Sequence, residues 1–390
     1  MQPITPRALA KRSNFRRCSG SLICAAFWVV TPGVEQGVAQ SAGGRSSDAW
    51  TIDPDPVLSI GLMDGPPEFL FAFVVVARIL PDGNLVVGDR TSNDFRIFDQ
   101  SGSFLRRFGG EGRGPAEFQY FDNLFVRGDT LIVHDPMNAK IARFDLSGVL
   151  ISAVRSPRPM ATLVGIDDGG ALWFTWLAGL ARGPIPRITA DSLVAARFGI
   201  DGSLDVEFWA GNVLWRVDGR PYPFSPLARP AFLRGSILRV DALGSNLVLL
   251  DRKGVVWKSI SIPSRRLDKG RAWSSLENAL DRRSDPAMAR RLRDMPREPQ
   301  LPRLSSVLVD DEEFVWVKEY DTNQDVQWLG GWAGGEGGTW WVVDPSGQVR
   351  QSIKIPDGVF PLSIAGSRLV GRSVDELGVN RVVIHRIIGR

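Results

Sequence analysis

Cysteine and histidine are scarce in this chain of 390 residues, with only two of each. Both cysteines, Cys18 and Cys24, lie near the N-terminus, so the rest of the chain has neither a disulfide framework nor thiol chemistry. The two histidines, His134 and His385, are too few for a histidine-rich zinc, copper or iron centre, because such sites usually need several imidazole or thiolate ligands. The chain also lacks the G-x-S-x-G elbow that carries a serine nucleophile.

Residues 1–39 have the composition of a secretory signal peptide. Five basic residues precede the apolar stretch SLICAAFWVV at 21–30, which is far shorter than the roughly 20 residues of a membrane-spanning helix. Small residues at 37–39 then match the site that a signal peptidase cleaves. We therefore expect an exported protein, periplasmic or extracellular, with a mature chain of residues 40–390 and no transmembrane span. The alternative is a basic tail with a chance apolar patch.

Removing that segment also removes the net positive charge of the chain. The whole chain has 47 Lys and Arg against 43 Asp and Glu, and residues 1–39 hold five of the bases and one of the acids, which leaves 42 of each. Binding to nucleic acid depends on a basic surface that neutralises phosphates. The balanced charge therefore predicts no nucleic-acid partner.

A repeat with a period of 46 residues is the strongest pattern in the sequence. Residues 81–106 align without gaps on residues 127–152. Both copies read as a turn, a short apolar strand ending in Asp, a polar loop, a strand ending in Phe-Asp, and a Ser-Gly pair. Ser-Gly favours a hairpin turn, and the alternation before it favours a half-buried strand. A four-stranded unit of roughly 40–50 residues is typical of a β-propeller blade.

Fragments of this unit recur downstream and predict six blades. We place the units at 69–118, 119–160, 161–211, 212–264, 304–357 and 358–388. The last unit is short, and residues 50–60 can supply its missing strand, which closes the ring without an open sheet edge. The sequence therefore predicts an all-β fold, a single six-bladed β-propeller domain over 40–390. Five or seven blades are the alternatives, because the fourth unit ends without a readable hairpin.

Residues 265–303 interrupt the strand pattern between the fourth and fifth units. Ser274 and Glu277 have the spacing of a capping box, and Pro286 is suited to the first turn of a second helix. Apolar residues then recur at helical spacing, at Met288, Leu292 and Met295. We predict a short helical insertion. It is either a hairpin packed on the rim or a basic arm that docks an acidic partner.

Three segments resemble exported bacterial six-bladed propellers related to the NHL-repeat and TolB-like superfamily. They are GEGRGPAEF at 110–118, WVKEY at 316–320 and DELGV at 375–379. The resemblance covers nearly the whole mature chain and implies the architecture, but it supplies no catalytic motif. The glycine-rich segment is not predicted to hold a phosphate, because a strand follows it and phosphate loops lead into a helix.

The connections of a four-stranded antiparallel blade alternate between the two faces of the ring. Turns between the third and fourth strands are minimal, as at Ser101-Gly102, whereas long connections follow the second and fourth strands. Extended loops are predicted at 176–192 and 320–338, on the same face as the insertion. Function usually resides in loops presented by a rigid scaffold, so we expect any site on this face.

Four acidic residues share one predicted position at strand ends: Asp89, Asp135, Asp251 and Glu319. A ring of carboxylates could bind Ca²⁺, which prefers oxygen ligands. The preferred alternative is that each carboxylate hydrogen-bonds the backbone of its own loop. Arg90 and Arg252 follow two of these acids and are predicted either to bind ligand or to pair with the acids.

One histidine and two tryptophans complete the candidates for ligand binding. His134 ends a predicted strand beside Asp135, where it could reach the channel mouth, although a lone histidine more often has a structural role. Trp176 and Trp328 lie in the predicted long loops. There, exposed indoles can stack on sugars or cations, or they can fill space between sheets.

Taken together, these patterns predict an exported, monomeric, non-catalytic binding scaffold without a cofactor. Its ligand would be a protein, a glycan or a small molecule. The alternative is a Ca²⁺-dependent hydrolase or a lyase with carboxylates at the channel mouth, since fold alone does not decide between binding and catalysis.

Overall fold

The computed structural model describes residues 49–182, 188–217, 220–225, 230–282, 286–298, 300–322, 324–326 and 337–390. The predicted signal peptide and Trp328 lie outside these residues. The described part of the chain is mostly β-strand. None of its helices is long and apolar enough to cross a membrane.

The first half of the chain contains three blades, preceded by a short lead-in. The lead-in comprises β1 (Thr51–Ile52), β2 (Leu58–Ile60) and a 3-10 turn (Pro67–Phe69). Blade 1 comprises β3 (Val74–Ile79), β4 (Leu85–Asp89), β5 (Asp94–Phe98) and β6 (Phe104–Gly109). Blade 2 comprises β7 (Asn123–Arg127), β8 (Thr130–Asp135), β9 (Lys140–Asp145) and β10 (Leu150–Arg155). Blade 3 comprises β11 (Thr162–Ile166), β12 (Leu172–Arg182), β13 (Ile188–Phe198), β14 (Leu204–Val217) and β15 (Arg220–Pro221).

Two helices separate the remaining three blades. Blade 4 comprises β16 (Ala231–Leu233), β17 (Ser236–Asp241), β18 (Asn246–Leu250) and β19 (Val256–Ser261). The helices are α1 (Lys269–Arg282) and α2 (Pro286–Arg293). Blade 5 comprises β20 (Leu304–Val309), β21 (Val315–Glu319), β22 (Gly338–Val343) and β23 (Val349–Ile355). Blade 6 comprises β24 (Val359–Ala365), β25 (Arg368–Val374) and β26 (Asn380–Ile388).

Each blade is an antiparallel sheet in which strands adjacent in sequence are neighbours. First strands contact one another between blades 1 and 2, 3 and 4, 4 and 5, 5 and 6, and 6 and 1. Blades 2 and 3 are joined by a shared apolar core that includes Ile141 and Leu163, so the six blades form a closed ring. The six-bladed propeller and the helical insertion between blades 4 and 5 are therefore confirmed.

The sixth blade is completed by residues that precede the first one. β1 and β2 both pair antiparallel with β26, with Thr51 opposite Ile388 and Leu58 opposite Ile384. The side chain of Gln351 fixes the start of this segment: its carbonyl accepts from the N–H of Trp50 (3.0 Å), and its amide donates to the Trp50 carbonyl (2.9 Å). The closing strand is thus supplied as expected from residues 50–60.

The core consists of apolar side chains between adjacent blades. Between blades 1 and 2, for example, the buried ring of Phe95 lies 4.4 Å from that of Phe121, and the ring of Phe108 lies 4.8 Å from that of Phe144. Each fully buried side chain of this size stabilises the fold by about 1.5–3 kcal/mol relative to exposure. The alternation along each strand puts these rings on its buried faces.

Blade 3 departs from the sequence prediction. Residues 176–192 were expected to form a loop, but β12 and β13 pair beyond Leu177 and Leu193 as far as Arg182 and Thr189. The unit also extends past the predicted limit at residue 211, because β14 continues to Val217. The reason is packing: side chains of β13 and β14 are buried against the helices, which overrides the local loop signals.

The projecting strands and the two helices form a second core, which we call the cap (the described residues of 188–193, 211–225 and 269–298). Its centre is Trp273, which lies edge-on to Tyr222 and Phe224. Leu292 and Met295 of the predicted apolar stripe are buried in it. The predicted capping box is wrong: α1 starts earlier and is capped by Asp268, whose carboxylate accepts from the N–H of Arg271 (2.9 Å).

Candidate functional site

The long connections all leave the same face of the ring, here called the long-loop face. It carries the lead-in 61–73, the glycine-rich segment 110–118 and the cap. Among the described connections, the opposite, short-turn face carries the tight turns between first and second strands and between third and fourth strands. This division agrees with the sequence prediction and places any loop-built site on the long-loop face.

The carboxylates of Asp89 and Asp135 are used to hold loops on this face. Asp89 accepts hydrogen bonds from three backbone N–H groups, those of Ala72 (2.7 Å), Phe73 (3.1 Å) and Thr91 (2.9 Å). Asp135 accepts from the backbone N–H groups of Gln119 (2.8 Å), Met137 (3.0 Å) and Asn138 (3.0 Å). Both aspartates are buried. Each one ties the loop after its own strand to the segment that enters the first strand of its blade.

Asp251 and Arg252 do not belong to this set, which corrects the prediction. β18 is the third strand of its blade, so Asp251 begins a turn on the short-turn face, where it accepts from the N–H groups of Lys253 (2.8 Å) and Val255 (2.9 Å). The true counterpart of Asp89 in blade 4 is Asp241, at the end of β17. The sequence pattern matched Asp251 to Asp89 wrongly, because an aspartate stands at the end of second strands and also just after third strands.

Glu319 lies on the long-loop face but is engaged by other side chains. Its Oε1 accepts from the indole N–H of Trp341 (2.9 Å), and its Oε2 lies 3.7 Å from Nε of Arg265. The four predicted carboxylates therefore form no ring. Within the described ranges, no three His, Cys, Asp or Glu side chains come together in a group that could hold a metal ion.

The most distinctive feature of the long-loop face is a row in which aromatic rings and guanidinium groups alternate. This aromatic–arginine row consists of Phe360, Arg372, Phe73, Arg90 and Tyr120. The Cζ atom of Arg372 lies 4.5 Å from the ring centre of Phe360 and 4.9 Å from that of Phe73. Cζ of Arg90 lies 5.7 Å from the ring centre of Phe73 and 4.3 Å from that of Tyr120. These are cation–π distances.

Backbone contacts fix both guanidinium groups of the row. Nε of Arg90 donates to the carbonyl of Phe121 (3.2 Å), and Nη1 of Arg372 donates to that of Val74 (3.3 Å). The backbone N–H of Phe73 donates a hydrogen bond to the carboxylate of Asp89, as described above. Because Phe73, Tyr120 and Phe360 stand at or just before the starts of three first strands, the row borders the entrance of the channel across blades 6, 1 and 2.

Of the sequence candidates, only Arg90 belongs to this row. Arg90 was expected either to bind ligand or to pair with Asp89; the structure places its guanidinium group beside the rings of Phe73 and Tyr120. Phe360 and Arg372 are direct cross-strand partners, a relation visible only once the strands are paired. A second stack lies further round the face, where Cζ of Arg158 is 4.2 Å from the ring centre of Trp176. Trp176 is thus half-buried beneath a cation.

His134 is buried and joins two neighbouring segments by hydrogen bonds. Its Nδ1 lies 3.2 Å from Oδ1 of Asp122, and its Nε2 lies 3.2 Å from Oγ of Ser156. This is the order of an Asp-His-Ser triad, but the imidazole is inaccessible and Ser156 is nearly so. A nucleophile must reach its substrate, so in this geometry the three side chains tie the ends of β8 and β10 to the start of β7.

The glycine-rich segment is a folded loop that blade 2 holds in place. The ammonium group of Lys140 donates to the carbonyls of Gly114 (2.7 Å) and Glu117, and Nδ2 of Asn138 donates to that of Gly112 (3.0 Å). Burial lowers the pKa of Lys140, and the nearby acids Asp135 and Glu117 oppose this shift. Gly110 has φ 127°, a conformation that favours glycine. The glycines therefore allow the backbone conformation of this folded loop and do not indicate a phosphate-binding site.

A buried ion pair fixes the start of the long connection of blade 5. Nζ of Lys318 lies 2.9 Å from Oδ1 of Asp325, and both side chains are almost inaccessible. Burial raises the pKa of Asp325, and the charge of Lys318 opposes this shift. The hydroxyl of Tyr320 donates to the carbonyl of Asp325 (2.9 Å). The pair is part of the structure beneath the cap, with no access for a ligand.

The comparisons with known proteins agree with this architecture. A family model described as a 6-bladed β-propeller matches residues 72–178. The chain is a six-bladed β-propeller. No curated protein matches it. A Bacteroides fragilis protein described as exported has the same fold, at 11% identity and a TM-score of 0.51, over 87% of this chain and 95% of that chain.

Two enzymes are among the more distant structural matches. A gluconolactonase of Xanthomonas campestris is 14% identical, with a TM-score of 0.42, over 82% of this chain and 87% of that chain. A virginiamycin B lyase of Staphylococcus aureus is 11% identical, with a TM-score of 0.44, over 87% and 100% of the two chains. At these values the likeness concerns the general fold of the propeller.

Proposed function

We propose that this propeller is an exported, non-catalytic binding module that takes a ligand with an anionic group on its long-loop face. The observation that carries the proposal is the aromatic–arginine row at the channel entrance. A guanidinium group recognises carboxylate or phosphate by paired hydrogen bonds, and an aromatic face offers a flat surface for a sugar ring or an apolar group. The row combines both kinds of group across three blades.

The state of the acidic residues supports binding over catalysis. General acid–base chemistry needs a carboxylate or imidazole that can reach the substrate. Asp89 and Asp135 bond to backbone N–H groups, and His134 is buried between two partners. Export is proposed from the signal-like segment 1–39. The proposal specifies one property of the ligand, an anionic group. The ligand itself is a protein, a glycan or a small molecule.

The alternative proposal is a propeller enzyme, a Ca²⁺-dependent hydrolase or a lyase. Such an enzyme would need carboxylates that converge on a metal or a substrate. Thermal unfolding of residues 40–390 with millimolar Ca²⁺ and with EDTA separates the two, because a cation that binds only the folded state raises the midpoint. We expect equal midpoints; a rise of several degrees with Ca²⁺ would favour the enzyme.

The binding proposal is tested by screening acidic oligosaccharides and organic acids against residues 40–390 by ligand-observed NMR. A ligand found in this way is then titrated against Arg372→Gln, which keeps a polar side chain but removes the charge. Affinity should fall at least about tenfold, equivalent to about 1.4 kcal/mol. Arg252→Gln on the short-turn face is the matched control and should bind as the parent does. Chemical conversion of the ligand, or equal affinity of both variants, would contradict the proposal.

A further inference from the structure

The outer strand of one blade repeatedly covers a glycine turn of the next blade. A methyl group placed on Gly148 would lie 2.5 Å from Cδ1 of Phe108, and one placed on Gly254 would lie 2.6 Å from Cδ2 of Phe208. A similar contact lies between blades 6 and 1, where a methyl group on Gly102 would lie 2.9 Å from Cδ1 of Leu58. An apolar side chain thus fills the space beside each of these short turns.

The junction of blades 2 and 3 lacks this filling side chain. The corresponding glycine is Gly202, and a methyl placed there would meet nothing nearer than Cβ of Pro157, at 3.9 Å. The 46-residue repeat puts Val154 at the position of Phe108. Val154 is 43% exposed, whereas Phe108 is 8% exposed. A smaller residue at one repeat position therefore leaves a gap that its counterpart fills one blade earlier.

The gap is part of a groove of about 720 Å³ between blades 2 and 3. Its floor is apolar and comes from both blades, with Ile132, Ile141, Ile166 and Leu172. Val154 and the exposed Ile200 line it nearer to solvent. The volume falls within the range of roughly 300–1,000 Å³ that is usual for small-molecule sites, and a mostly apolar lining with a few polar groups is also typical of them.

Three arginines line the same groove: Arg127, Arg143 and Arg155. None of the three makes an ion pair with a residue in the described part of the chain. The guanidinium group of Arg127 donates to the carbonyl of Asp168, which anchors it to blade 3. The acidic side chain in the lining is Asp201, whose Oδ1 accepts from the N–H (3.0 Å) and the hydroxyl (2.6 Å) of Ser203. The groove is therefore apolar inside and cationic in net charge.

We propose that this groove is a second binding site, separate from the long-loop face, for an anionic amphiphile: a carboxylate that carries an apolar chain. The chain occupies the space that Phe108 fills between blades 1 and 2, and the carboxylate meets the arginines. Apolar burial favours the chain, and charge-assisted hydrogen bonds favour the carboxylate. Neither contribution depends on the aromatic–arginine row, so this proposal does not rest on the proposed function.

Titration calorimetry with decanoate, below its micelle concentration, tests the proposal on residues 40–390. Val154→Phe restores the side chain found in blade 1 and should lower the affinity at least about tenfold, or about 1.4 kcal/mol. Val154→Ala is the matched control: it keeps the groove open and should bind within about threefold of the parent, or about 0.7 kcal/mol. Decyltrimethylammonium, which has the same chain and the opposite charge, should not bind.

A second variant keeps the test decisive if Val154→Phe unfolds. Arg143→Gln leaves the apolar floor intact and should weaken decanoate binding several-fold, with an unchanged melting temperature. The proposal is overturned if millimolar decanoate does not bind the parent, if the cationic amphiphile binds equally well, or if decanoate binding survives both Val154→Phe and Arg143→Gln in folded protein.

Discussion

At the scale of single residues, one use of aspartate recurs in the described chain: its carboxylate accepts hydrogen bonds from nearby loop N–H groups. On the short-turn face, the Ser101 and Ser147 hydroxyls and the loop N–H groups hold the pKa of Asp99 and Asp145 below the ordinary value. Such groups contribute stability above their unfolded pKa, and this contribution is lost as pH falls through the folded pKa. This use of carboxylates was predictable from recurrence, but the face on which Asp251 lies was not.

The pKa of Glu298 is shifted in the opposite direction, because this side chain is buried in the cap. Its carboxyl group contacts the hydroxyl of Tyr222, and burial raises the pKa of Glu298. A carboxyl group with a raised folded pKa stabilises the fold only while it is protonated, so its contribution is lost as pH rises through that pKa. Nothing in the sequence distinguished Glu298 from the surrounding charged residues, since its burial depends on the packing of the cap.

We predict that Glu298→Gln, which cannot ionise, is more stable than the parent at pH 8. The difference should shrink towards zero as pH falls below the pKa of an unfolded glutamate, because both side chains are then neutral. Urea unfolding of residues 40–390 between pH 4 and pH 8.5 measures this. Glu277→Gln, at a half-exposed ion pair on α1, is the control and should show no such pH dependence. A constant difference between Glu298→Gln and the parent at every pH would refute the explanation.

At the scale of elements, the sequence predicted the strands that belong to the repeat. It did not predict the elements that depend on tertiary packing. The 46-residue repeat located the strands of blades 1 and 2, because each hairpin carries its own turn residues. The long β12–β13 hairpin was predicted as a loop, since Gly179 and the glycine and prolines that follow it are typical of loops. It is a hairpin because Ile188 and Ala190 of β13 are buried in one core with side chains of α1 and α2, contacts that no local pattern records.

The glycine-rich segment 110–118 is held by two side chains of the next blade, Asn138 and Lys140, and Lys140 makes two of these contacts. We predict that Lys140→Met frees this segment, because the carbonyls of Gly114 and Glu117 lose their shared donor while the apolar stem of the side chain is kept. Hydrogen–deuterium exchange of 110–118 should accelerate about tenfold or more, as expected for the loss of about 1.4 kcal/mol of protection. Lys253→Met, at an exposed lysine, should leave the exchange unchanged. Unaltered exchange in Lys140→Met would contradict this role.

At the scale of the whole molecule, the ring is closed by more than strand pairing. The guanidinium group of Arg390 lies 2.9 Å from Oδ2 of Asp310 in blade 5, and both side chains are nearly inaccessible. Its Cζ is also 5.0 Å from the ring centre of Trp50 and 5.2 Å from that of Phe314. One cation thus joins the lead-in, blade 5 and the segment after β26. The closing strand was predictable from the short sixth unit, whereas this cluster was not.

We predict that Arg390→Gln weakens ring closure, because it leaves the buried carboxylate of Asp310 without its cation. Breaking a buried ion pair by removing one partner costs about 3–5 kcal/mol. Equilibrium unfolding in urea should show this loss, with a lower midpoint. Arg386→Gln, at an exposed arginine on β26, should change the stability by less than about 0.5 kcal/mol. A loss below about 1 kcal/mol for Arg390→Gln would mean that strand pairing alone closes the ring.

The two ends of the described chain lie close together, so the chain could begin at a different blade and still form the same ring. A methyl group on Gly389 would lie 3.2 Å from the carbonyl oxygen of Ala49, so a short linker could join residue 390 to residue 49. New ends could then be opened at a tight turn such as Lys253-Gly254. Such a circular permutant would retain every described contact between blades and would change only the point at which synthesis of the ring begins.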